Sequence, residues 1–135
     1  MNTYAFLCGS APEDYRQKKL IQMQDFLTCG SERSLPEKNV VIFPNGVDEF
    51  LLGYGLENVI TGRAGNKADE IFIYICTERP VSENDDTLWL RGSQIHKNFL
   101  SKMLTAANET GIGTQVVYDS CCDFVSEDDL GYVGA

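Results

Sequence analysis

Ile71-Phe72-Ile73-Tyr74-Ile75-Cys76 is the stretch on which the reading of the fold turns. Successive side chains of a strand point to opposite faces, so a half-exposed strand alternates apolar and polar residues. This run does not alternate. Both of its faces are apolar and every second residue is β-branched. That pattern predicts a strand covered on both sides, as in a parallel sheet. Three shorter runs share the character: Tyr4-Ala5-Phe6-Leu7-Cys8, Val40-Val41-Ile42-Phe43 and Val116-Val117-Tyr118.

Helical patterns separate these runs. Ser10 and Glu13 have the spacing of a capping box, Pro12 is tolerated in a first turn, and Leu20, Met23 and Leu27 fall on one face before Gly30. A second helix is predicted over about 47–59, carrying Phe50, Leu51 and Tyr54 and weakened by Gly53 and Gly55. A third is predicted from a cap at Ser93, with Ile95, Phe99, Met103 and Ala107 as its apolar stripe. Before it, Thr87-Leu88-Trp89-Leu90-Arg91-Gly92 reads as a short strand or hairpin inserted in the crossover. The order β-α-β-α-β-(hairpin)-α-β predicts an α/β fold of three layers, α-β-α. Its sheet is mostly parallel, with about four strands and right-handed crossovers. One domain over residues 1–135 is expected, since the length suits one core and no repeat or linker divides the chain.

The net charge of −9 and pI of about 4.4 argue against binding nucleic acid or an anionic membrane surface through charge. No window approaches the apolar length of a membrane span. Met1–Leu7 carries no basic segment leading into a long apolar run, so no secretory signal is expected. The five cysteines, Cys8, Cys29, Cys76, Cys121 and Cys122, are odd in number and include no C-x-x-C pair. Reduced thiols in a cytoplasm are the expectation.

In an open α/β sheet the functional crevice lies at the carboxyl ends of the strands. The glycine-rich dinucleotide turn, the phosphate loop, the receiver-type acidic pocket and the G-x-S-x-G elbow are all missing from those positions. Cysteines stand there instead. Cys8 closes the first strand, Cys76 the third, and Cys121 lies just past the fourth. The predicted crevice is therefore Cys8, Gly9, Ser10, Cys76, Thr77, Arg79, Asp119, Ser120 and Cys122, around Cys121. Against this stands the ordinary role of cysteine as a small buried hydrophobe.

Asp119-Ser120-Cys121, following an apolar strand, resembles the D-x-C nucleophile motif of caspases, metacaspases and related peptidases. The strand over 69–75 resembles their third strand, and Leu88–Gly92 with the helix after it resembles the hairpin and helix that follow the catalytic histidine. The likeness in element order covers about residues 3–124, and it implies a strand order 2-1-3-4 with Cys121 as nucleophile. The chain departs from the family where S-G-H-G is expected: Cys76-Thr77-Glu78-Arg79 stands there, so Glu78 takes the histidine's place. The only histidine, His96, lies further on. A carboxylate beside a sulfur raises its pKa, whereas a nucleophilic thiol needs it lowered, and amide cleavage also needs an acid for the leaving amine. The family adds strands beyond the nucleophile loop, so the resemblance implies that this part is missing or comes from another chain.

Three readings follow. The first is a caspase-like domain without its histidine, working through protein contact: a protein partner or a second copy at the sheet edge, with no cofactor. The second is a cysteine peptidase using Cys121 with Glu78 or His96 as base. The third is a thiol-based metal or redox site formed by Cys8, Cys76 and Cys121, completed by Cys122 or Glu78, since adjacent strands are close enough for sulfurs to share an ion.

Overall fold

The computed structural model describes residues 2–9, 14–30, 35–43, 48–62, 67–77, 84, 86–90 and 93–120, with the side chains of 14–19, 30 and 120 excepted. Four strands, β1 (Thr3–Cys8), β2 (Val40–Phe43), β3 (Glu70–Thr77) and β6 (Gly113–Ser120), form a wholly parallel sheet in the order β2-β1-β3-β6. A separate antiparallel pair, β4 (Thr87–Leu90) and β5 (Ser93–His96), interrupts the last crossover. Among the described residues there are also three α-helices, α1 (Asp14–Asp25), prolonged by a π-helical turn Phe26–Gly30, α2 (Glu49–Thr61) and α3 (Lys97–Glu109), and a short 3-10 turn at Glu37–Asn39. The predicted α/β class, the parallel sheet and the spatial order of its four strands are all present.

The doubly apolar run at 71–76 sorts its side chains between two cores. Ile71, Ile73 and Ile75 join Phe6, Cys8, Leu52, Leu56 and Leu100 under α2 and α3. Phe72, Tyr74 and Cys76 face the other way, with Ala5, Leu7, Val40 and, from α1, Leu20. Full burial of one such aliphatic side chain contributes roughly 1.5–3 kcal/mol. Among the described residues, two helices and the hairpin cover the first face, and α1, the turn that follows it and Leu35 cover the second.

Local signals fix the ends of α2. The Asp48 carboxylate accepts the N–H of Leu51 at 2.9 Å, a cap contributing about 1 kcal/mol. The helix stops at Gly62, whose φ of 80° suits a residue without Cβ. Gly9, just after β1, is set by packing: a Cβ there would lie 2.6 Å from Leu20 Cδ1, so the close seat of α1 on the sheet requires glycine.

Two boundaries differ from expectation. Helix α3 starts at Lys97 rather than after a Ser93 cap, because Ser93–His96 pairs with Thr87–Leu90. The hairpin wins since it turns Leu88, Leu90 and Ile95 together into the core, whereas Ile95 in a helix would leave the two leucines without that neighbour. Ser93 Oγ caps nothing and is buried without a hydrogen-bond partner. Strand β6 runs for eight residues rather than the three apolar ones, since pairing with β3 continues through Thr114, Gln115 and Asp119. The expected capping box at Ser10 and Glu13 lies outside the described residues.

Candidate functional site

At the carboxyl ends of the strands, register brings Cys76 of β3 beside Asp119 of β6, and Thr77 beside Ser120. Tyr74, one rung below Cys76 on the same face, donates its hydroxyl to Asp119 Oδ2 at 2.7 Å. Thr77 Oγ1 reaches the Asp119 carbonyl at 3.4 Å. Asp119 is thus held by β3 through both its side chain and its backbone. This tie is invisible in a single sequence because it depends on register between strands 45 residues apart.

Cys8 and Cys76 do not meet. Cys8 pairs in register with Ile75, so Cys76, the next residue, projects through the opposite face. Cys8 belongs to the core under α2 and α3, and Cys76 to the core under α1. A metal site sharing these two sulfurs, expected from adjacency of strands alone, is corrected by that alternation. Burial also pushes the Cys8 thiol up to about 12, which leaves it protonated and unreactive near neutral pH. Cys8 and Cys29 are free thiols. Cys76 is fully buried and disulfide-bonded, so the expectation of reduced thiols throughout does not hold for it.

Of the remaining predicted residues, Ser10, Glu78, Arg79, Cys121 and Cys122 lie outside the described residues. The other candidate base, His96, is engaged by α2: its Nδ1 contacts Glu49 Oε1, and its backbone N–H donates to the same oxygen at 3.1 Å. The hydrogen bond from His96 holds the Glu49 carboxyl below its ordinary value. This pair pins the start of α3 to the start of α2. The sequence signal was present in Asp48-Glu49 opening a helix, but its partner is a residue that only the hairpin brings near.

The outer side of β6 is the other feature of interest. Gly113 N–H donates to Asp69 C=O at 3.0 Å. In a parallel ladder the backbone groups of alternate residues turn to the same neighbour, so residues 113, 115, 117 and 119 face β3. The N–H and C=O groups of Thr114, Val116 and Tyr118 therefore face outward, and among the described residues no strand pairs with them. Tyr118 is 42% exposed. Beside the same strand, at the amino ends of β1, β3 and β6, lies a cleft of about 340 Å³ lined by Thr3, Glu70, Phe72, Thr114 and Gln115 among others. It lies at the end of the sheet opposite to Cys8 and Cys76.

Among the described residues no helix is long and apolar enough to cross a membrane, and no three His, Cys, Asp or Glu side chains are grouped as a metal ion would need. No family model matches the chain, and no curated protein or solved structure matches it significantly.

Proposed function

We propose that this chain is a cytoplasmic, non-catalytic, caspase-like domain that works through protein contact, pairing β6 with β6 of a second copy. The observation that carries the reading is the outer side of β6: an eight-residue strand that, among the described residues, has one neighbouring strand and an outward row of donors and acceptors. An open edge of this length is a template for another strand. Antiparallel pairing about a two-fold axis would satisfy both edges at once and close the assembly at two copies. The strand order and the inserted hairpin support the likeness to the caspase-type core, and the engagement of His96 by Glu49 argues against its use as an improvised base for Cys121.

Charge opposes this association. Two copies of net charge −9 repel over a Debye length of about 8 Å at physiological ionic strength, so added salt strengthens pairing where it would weaken contact with a basic partner. Sedimentation velocity over a concentration series is the test, on the wild-type chain and on Thr114→Pro. Proline at 114 removes an outward N–H and leaves the ladder to β3 intact. A reversible dimer, tightened by salt and lost in the variant, is expected. A monomer at every concentration and salt level would sink the reading.

A further inference from the structure

We propose that the outer face of α2 docks a basic amphipathic helix of a partner protein, with Phe50, Leu51 and Tyr54 as its apolar seat. The starting point is a helix that is apolar on two sides. Leu52, Leu56 and Val59 are buried in the core against the sheet. On the other side Phe50 is 77% exposed, Tyr54 63% and Leu51 48%. Phe50 and Tyr54 stand four residues apart and Leu51 and Tyr54 three, spacings that make them neighbours on a helix surface. They form one patch, not three scattered residues. A helix apolar all round is ordinarily covered all round, and α2 is covered on its inner side only.

Charge selects the occupant. Between residues 48 and 61 the charged side chains are Asp48, Glu49 and Glu57, all acidic, with no Lys, Arg or His among them. Glu49 is turned to His96. Exposed Asp48 and exposed Glu57 bracket the patch along the helix, in a chain of net charge −9. Lys or Arg beside an apolar anchor meets both the carboxylates and the aromatic faces, where a cation gains further attraction. An anionic lipid surface is repelled by the same carboxylates, and a second copy would bring the same acidic residues to this face. Size points the same way. At roughly 200 Å² for a large side chain in full exposure, the three offer on the order of 350 Å². A stable protein pair buries about 800 Å² on each partner. A short helix laid along α2, with anchors at the i, i+4, i+7 spacing, fits that area.

The contact is independent of β6, and salt separates the two: it tightens pairing through β6 and loosens docking on α2. The test titrates the full chain into a labelled amphipathic peptide of Leu and Lys at helical period, followed by fluorescence anisotropy. The control peptide carries Glu at every Lys position, and amide shifts locate the contact. The Leu/Lys peptide should bind, the control should not, and the shifts should centre on residues 50–57. The double variant Phe50→Gln/Tyr54→Gln should weaken binding about tenfold or more, and Glu57→Lys about three- to tenfold. Equal binding of the control peptide, shifts centred elsewhere, or an affinity indifferent to both variants would each overturn the proposal. So would self-association, or binding to phosphatidylserine vesicles, that the double variant abolishes, since either assigns the patch to another occupant.

Discussion

Replacing Tyr74 by Phe removes one hydroxyl and leaves the ring, which is 3% exposed, in place. The lost interaction is the 2.7 Å bond to Asp119 Oδ2. A hydrogen bond to an ionised group contributes roughly 1.5–3 kcal/mol. Asp119 is half-exposed, so water replaces part of what the hydroxyl supplied, and the lower end applies: about 1.5 kcal/mol. For a domain of this size that lowers Tm by roughly 4–6 °C. Because a single substitution also changes solvation, the decisive quantity is the coupling between Tyr74→Phe and Asp119→Ala, measured by urea unfolding of the wild type, both single variants and the double. A coupling of about 1–1.5 kcal/mol is expected. A value below about 0.3 kcal/mol would refute the view that β3 holds the end of β6 through this pair.

Three further outcomes follow from the geometry. In α2, alanine at either glycine gains about 1 kcal/mol of helix propensity, but a Cβ at Gly55 would meet Phe6 Cε1, deep in the core, at 2.9 Å, whereas one at Gly53 meets the rim of half-buried Phe99 at 3.1 Å. Thermal melts should therefore show Gly55→Ala destabilised by about 1 kcal/mol and Gly53→Ala unchanged or stabilised; equal behaviour would contradict the packing described. The Glu49 carboxyl is depressed in the folded chain by His96, so its contribution is present above its unfolded pKa and is lost as pH falls through the lower, folded one. The stability difference between wild type and Glu49→Gln should accordingly be full near pH 6 and vanish on acidification below the model-compound value of 4.5; a difference that grows on acidification would be wrong in sign. Iodoacetamide at pH 8 should label exposed Cys29 in the native chain and reach Cys8, whose thiol burial pushes up to about 12, only after unfolding.

The strands were legible because burial on both faces leaves an uninterrupted apolar signature, as at Ile71–Cys76. Their spatial order, with the first strand between the second and the third, is the 2-1-3-4 order expected. The hairpin boundary was not legible: Ser93 and Ile95 fit a cap and a helix stripe as well as they fit a strand, and only the shared burial of Leu88, Leu90 and Ile95 decides between them. At the strand ends, adjacency suggested that Cys8 and Cys76 share a site, yet a register offset of one residue sends them to opposite cores. The Tyr74–Asp119 tie, the Glu49–His96 pin and the outward half of β6 all depend on which residue stands opposite which. Composition and periodicity carry no register.

Site-resolved amide exchange along β6 tests the central claim most directly, because the two sides of the strand alternate residue by residue. Gln115, Val117 and Asp119 donate inward to β3, and Thr114, Val116 and Tyr118 face outward. In dilute solution the outward amides should exchange freely while the inward ones are protected. On raising the concentration to about 1 mM, which detects associations as weak as roughly 4 kcal/mol, the outward three should become protected together. Outward amides that exchange freely at every concentration would contradict pairing through β6.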